Sequence, residues 1–282
     1  MYRSARPITR IAAILAFGLG LSGCDIAVDG HGGLGVELSA GKAQDEWTRS
    51  YQLGPGGRLE IINVNGRISA EPTDGPSVEV RADRTAKALS DESARELLGK
   101  IEMREEVSAD RVRVEVRAPR FSGGPSGHDI KWTVKVPKGV AVDLRTINGG
   151  VRLDRLEGEV RARSTNGGIV GEALNASSVD AAVTNGGVEI NLVNAPSSGS
   201  IDLESVNGGV TLSLPATAKA DITARCVNGG ISIDGVDVEV VGEQTRRRLD
   251  GKINGGGGAR ISMETVNGGV KIRSTDSARN SS

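Results

Sequence analysis

The sequence predicts an all-β fold, a β-solenoid of repeated Asn-Gly-Gly turns with one short helix near residues 90–103, and three observations carry that expectation. Asn-Gly-Gly begins at Asn148, Asn166, Asn185, Asn207, Asn228, Asn254 and Asn267, and a weaker Asn65-Gly66-Arg67 stands upstream. Self-similarity at a nearly fixed period marks a repeat architecture. The residues around each turn keep a fixed order. Four before the asparagine stand Leu144, Ala162, Ala181, Leu203, Ala224 and Met263, and three after it Val151, Ile169, Val188, Val210, Ile231 and Val270. Each copy is two short alternating runs flanking a turn, where asparagine or glycine supplies the positive φ that other residues resist. The spacing is the third observation. Successive asparagines from Asn148 to Asn228 are 18, 19, 22 and 21 apart, and the 39 from Asn228 to Asn267 is close to two such periods.

Parity alone admits two architectures. In a hairpin sandwich, Asn-Gly would sit at the tip of each antiparallel pair. In a solenoid, each period is one coil, rungs stack about 4.8 Å apart, and the asparagines form a hydrogen-bonded ladder along one corner. The coil-length spacing and the repeated turn favour the solenoid.

Residues 1–23 read as a lipoprotein signal peptide. Arg3, Arg6 and Arg10 form a basic start, Ile11 to Leu21 an apolar run, and Leu21-Ser22-Gly23-Cys24 the end. That tetrapeptide resembles the bacterial lipobox, which implies lipidation of Cys24, palmitate included, and a membrane anchor made of several acyl chains. Residues 24–46, rich in glycine and single charges, read as a flexible tether. His31 lies there with no second metal ligand at a useful spacing. The folded domain is expected over 47–273. Within it, Ser90 and Asp91 cap a helix whose Ala94, Leu97, Leu98 and Ile101 form one apolar stripe, best explained by packing against an end or side of a sheet. Ser122 to His128 reads as a loop. Asp237 to Gly251 interrupts the repeats as either a rung or an excursion, and residues 274–282 read as a disordered tail.

Several of these features occur together in a known family. The Pro-Gly strand turn, Asn65-Gly66, the helix from Ala94 to Ile101, Val134-Lys-Val-Pro-Lys-Gly139 and Gly251-Lys-Ile-Asn-Gly-Gly-Gly-Gly258 resemble the bacterial DUF4097 adhesin-like family. The resemblance implies a β-helical surface domain with no assigned activity, and it supplies no catalytic residues.

Composition narrows the function. Aromatic residues make up 2% of the chain, which argues against base stacking and aromatic sugar platforms. A net charge of −1 from 35 basic and 36 acidic residues offers no field for nucleic acid. Cys24 and Cys226 are the two cysteines; Cys226 takes a position filled elsewhere by threonine, serine or valine and is expected to pack inside. Asp154 and Asp234 lie six after their asparagines, while Asp143, Asp202 and Asp221 fall elsewhere, so no acid-base cluster is evident. Gly255 to Gly258 lacks the lysine, serine and helix of a phosphate loop. No catalytic, cofactor or metal residue is therefore assigned. The reading is a non-catalytic, membrane-tethered envelope module whose partner is an unknown protein or glycan. Its expected place is the periplasmic face of the inner membrane, because Asp25 beside the lipid resembles an inner-membrane retention signal. The rival reading is a β-helical enzyme acting on polysaccharide.

Overall fold

The computed structural model describes residues 41–119 and 126–275. The lipobox with Cys24, the proposed tether up to residue 40, His31 and the tail beyond Thr275 lie outside the described residues.

The first part of the fold contains β1 (Gly41–Gln52), β2 (Arg58–Ile62), β3 (Ile68–Thr73), β4 (Ser77–Ala88), helix α1 (Asp91–Gly99), β5 (Glu102–Val107), β6 (Arg111–Arg117) and β7 (Gly127–Pro137). Five strand pairs flanking Asn-Gly-Gly turns follow: β8 (Ala141–Asn148) with β9 (Val151–Asp154), β10 (Glu159–Asn166) with β11 (Ile169–Leu174), β12 (Ser178–Asn185) with β13 (Val188–Leu192), β14 (Ser200–Asn207) with β15 (Val210–Leu214), and β16 (Ala220–Asn228) with β17 (Ile231–Asp234). Then come β18 (Val238–Thr245), β19 (Arg248–Ile253) and a last pair, β20 (Ala259–Asn267) with β21 (Val270–Ser274).

These strands form two facing sheets. One runs β1-β4-β7-β3-β9-β11-β13-β15-β21-β17, the other β18-β19-β16-β20-β14-β12-β10-β8-β2-β6-β5. Every repeat pairs in parallel with its stack neighbours, which settles the choice between solenoid and hairpins. Leu144, Ala162, Ala181 and Leu203 are in direct register, as are Val151, Ile169, Val188 and Val210. Both rows are fully buried between the sheets. Alternation explains this, because a run with period two places one apolar set on the inner face of its sheet.

The stacking order departs from the chain order. β20 pairs with β14 on one side and β16 on the other, and β21 lies between β15 and β17. The last rung in sequence is thus the next-to-last in space. The 39-residue gap from Asn228 to Asn267 is therefore not two coils. It is one adjacent rung plus an excursion, the antiparallel hairpin β18–β19, whose β19 pairs antiparallel with β16. The question left open for Asp237 to Gly251 is answered by that hairpin.

The boundaries shift as well. β1 begins at Gly41 rather than Trp47, pairing with β4 from Gly41↔Ala88 onward, with the Lys42 amide donating to Asp91 Oδ1 at 3.0 Å. At the other end Ser274 belongs to β21 and is buried, not part of a tail. The helix spans Asp91–Gly99, shorter than expected, because Lys100 caps it and β5 starts at Glu102. Ser90 is its N-cap, accepting from the Ser93 amide, and Ala94, Leu97, Leu98 and Ile101 are buried, with the helix packed against β1 and β4.

Candidate functional site: the asparagine corner and its groove

The corner is built by a single amide ladder. Asn148 Nδ2 donates to Asn65 Oδ1 (2.7 Å), Asn166 to Asn148 (2.8 Å), Asn185 to Asn166 (2.9 Å), Asn207 to Asn185 (2.8 Å), Asn267 to Asn207 (2.7 Å) and Asn228 to Asn267 (2.9 Å). Asn254 does not join it. Its backbone takes φ 48°, and its Nδ2 donates to the carbonyls of Ala216 and Ala218, pinning the loop before β16. Within the ladder, the positive φ expected at asparagine or glycine falls on glycine, at the residue after Asn65, Asn148, Asn166 and Asn185, with Gly167 at 144°. Stacking is the reason. A Cβ on Gly167 would lie 2.3 Å from the carbonyl oxygen of Gly149 in the rung below.

The residue before each asparagine points away from the core. In stack order these are Val64, Ile147, Thr165, Thr184, Val206, Val266 and Val227, a β-branched stripe roughly 29 Å long at about 4.8 Å per rung. All but the half-buried Val64 are exposed. The residue two before the asparagine turns inward. Thr146, Ser164, Ser205 and Thr265 donate their hydroxyls to the glycine carbonyls of neighbouring rungs, and Cys226 sits buried in the same row.

Beside the stripe runs a shallow groove of about 1030 Å³, walled by Arg145, Arg163, Glu204, Glu264, Arg225 and Arg247. Most of its charge is neutralised. The carboxylate of Asp143, about 2% exposed, takes two bonds from Arg145 at 2.9 and 2.6 Å. That hydrogen bond to Asp143 holds the Arg145 guanidinium above its ordinary pKa. Asp180 lies between Arg163 (2.6 Å) and Arg161 (3.1 Å). Burial pushes the Asp180 carboxyl up, but the hydrogen bonds and charges of Arg163 and Arg161 prevail and hold it below the usual range. Glu204 and Arg247 make no ion pair among the described residues, and the stripe beside them is apolar at five of its seven positions, with Thr165 and Thr184 in its middle.

The acids considered from sequence are redistributed by the stacking. Asp143 and Asp202 share one outward row with Asp180, with Arg161 interposed in register between Asp143 and Asp180. Asp154, in β9 at the middle of its sheet, lies five strands from Asp234 in the terminal strand β17. The inverted last rung places Glu204 directly beside Glu264, a pairing that chain order conceals. Both are exposed, and Glu264 lies 3.9 Å from Arg225.

His128, expected in a loop, lies in β7 and ends the ladder. Its Nε2 is 3.4 Å from Asn65 Nδ2. Among the described residues no cluster of histidine, cysteine and carboxylates is arranged to hold a metal, and no helix is long and apolar enough to cross a membrane.

The family model described as Toastrack DUF4097 matches residues 99–273, well over half of the chain. The chain belongs to the DUF4097 family. No curated protein matches it. Among solved structures it is similar to a "putative cell adhesion protein" from Clostridium sporogenes, at TM-score 0.50 and 15% identity over 83% of this chain and 100% of that one. A "putative adhesin" from Bacteroides fragilis aligns at TM-score 0.30 and 10% identity, covering 82% and 97%. A "Putative lipid binding protein" from Parabacteroides distasonis aligns at TM-score 0.29 and 8% identity, covering 82% and 97%. At these identities the first shows the shared fold, and this DUF4097 chain is a two-sheet solenoid of that kind.

Proposed function

We propose that this DUF4097 protein is a non-catalytic interaction module of the bacterial cell envelope, lipid-anchored through Cys24 and engaging an envelope protein or glycan along the asparagine corner. The observation that carries the reading is the β-branched stripe from Val64 to Val227, apolar at five of its seven rungs, beside charges most of which are paired. Exposed apolar side chains gathered along one face mark an interaction site. The anchor rests on Leu21-Ser22-Gly23-Cys24, and the periplasmic face of the inner membrane on Asp25.

The test combines anchor and groove. Cys24→Ala should abolish palmitate labelling and release the protein from membranes. In the released protein, Ile147→Glu with Val206→Glu should cut retention on washed envelopes at least about tenfold, a loss of about 1.4 kcal/mol, while the far-ultraviolet spectrum stays unchanged. Retention that ignores both groove substitutions would refute the corner as the binding face. The rival reading has one point in its favour, the adjacent Glu204 and Glu264. Hydrolysis of an envelope glycan that disappears in Glu204→Gln would establish an enzyme instead.

A further inference from the structure

The two sheets do not end together. Beyond the terminal rung, the sheet containing β16 continues through β19 and β18, whereas the other sheet stops at β17. The core is consequently open at that end. Val270 and Ile272 are 1% and 0% exposed, but their stack neighbours Ile231 and Ile233 are half-buried, as are Val236 and Val238. Val238 and Val240 lie opposite Ile253 and Gly251 of β19, on the face that buries Ile253, and Val240 is 38% exposed. An apolar step two strands deep is left where the shorter sheet has no strand.

The edge beside that step has free positions. The Val270 amide donates to the Gly230 carbonyl at 3.0 Å, so β17 meets β21 through its even-numbered residues and turns the backbone groups of Ile231 and Ile233 outward. The Ile231 amide is taken by the carbonyl of Arg246, at 3.0 Å, in the hairpin turn. The Ile233 amide and both carbonyls stay on the outer edge. A row of such groups is a template for another strand.

Charge identifies what kind of strand. Asp234, Asp237 and Glu239 are exposed at the end of the step away from the asparagine corner, and no ion pair is seen for any of them among the described residues. Three carboxylates gathered at one end of this step favour a strand whose basic end lies against them. A lipid acyl chain would leave the edge amide unmatched, whereas a β-strand satisfies backbone and apolar rows at once.

We propose that β17 accepts an extended segment of another protein by strand addition, the segment carrying apolar residues at alternate positions and a basic end that meets Asp234 and Asp237. This site is separate from the asparagine corner, and either stands if the other fails. The probe is a synthetic peptide alternating valine with threonine and ending in two lysines, beside a shuffled peptide with its valines adjacent. Fluorescence anisotropy should show saturable binding of the alternating peptide alone, with slowed hydrogen exchange at the Ile233 amide. Ile233→Pro removes that amide at an edge where proline is tolerated, and should weaken binding about tenfold. Asp234→Lys, a surface change, should shift preference to a peptide ending in two glutamates. Equal binding of the shuffled peptide, or affinity unchanged in both variants, overturns the proposal. So does self-association of the unmodified protein that both variants abolish, because the edge would then belong to a second copy.

Discussion

At a glycine such as Gly167, the constraint comes from the neighbouring rung rather than from its own turn. With φ at 144° and a prospective Cβ 2.3 Å from Gly149 O, alanine here demands that two stacked backbones separate. Gly168 is different: its φ lies outside the left-handed range and its prospective Cβ is 3.2 Å from Gly187 O, tight but within reach of a small shift. Gly167→Ala should therefore lower unfolding free energy by more than about 2 kcal/mol, and Gly168→Ala by less than about 1 kcal/mol, read from urea midpoints at constant slope. The sequence marked both glycines, yet local turn rules left the unusual φ to asparagine or glycine alike. Those rules describe an isolated turn. Only the stack shows that the asparagine carbonyl must face the next rung, where Asn166 accepts the Gly149 amide at 2.8 Å.

The ladder is an element with a direction. Each side-chain amide donates toward the β3 end, so Asn65 must find an acceptor beyond the first rung, and His128 Nε2 supplies it only when the ring is neutral with its proton on Nδ1. Burial lowers the pKa of His128, with the charge of Asp129 working against it. A base whose folded pKa is depressed binds more protons unfolded than folded. Its contribution is full above the unfolded value, about 6.5, and is lost as pH falls through the folded pKa. Denaturation midpoints should accordingly decline between about pH 7 and pH 5, and His128→Ala should remove that part of the slope. An unchanged slope in the variant would place the titration elsewhere. The asparagines of the ladder were legible from their period, whereas His128 was not. It reaches Asn65 through the parallel pairing of β3 with β7, across 63 residues of chain.

For the whole molecule, period and parity were sufficient to read parallel coils, and the apolar rows landed in the core as expected. Order was beyond them, because rungs built on one motif are interchangeable in sequence and only the connections choose their neighbours. Here the choice is made by the loop before β16, where Asn254 grips Ala216 and Ala218, and where a Cβ on Gly258 would lie 2.1 Å from the Lys219 carbonyl oxygen. That loop holds β16 two spacings from β14 and leaves a slot filled by β20. The open step at β17 follows from the same inversion, since β17 closes its sheet while the hairpin extends the other.

The inversion makes the end of the chain an internal part. In a solenoid stacked in chain order, removing the last rung exposes one new surface and leaves the remainder templated. In this protein, a chain ending at Gly258 lacks β20 and β21, so the rung of β16 and β17, with its hairpin, loses the neighbour that joins it to β14 and β15. A chain ending at Leu214 is shorter but keeps every remaining rung against its native partner. Hydrogen exchange should show the amides of Thr223 and Arg225, which face β20 because the Cys226 amide is taken by Arg247 on the β19 side, unprotected in the Gly258 chain, while Ala162 and Ala181 stay protected in both chains. Protection of Thr223 in the Gly258 chain would mean that β16 restacks directly on β14, and that the Asn254 contacts do not fix the order. If protection is lost, the final rung must be in place before the terminal rung and its hairpin can dock, and the last residues of the domain to be synthesised become the ones that close it.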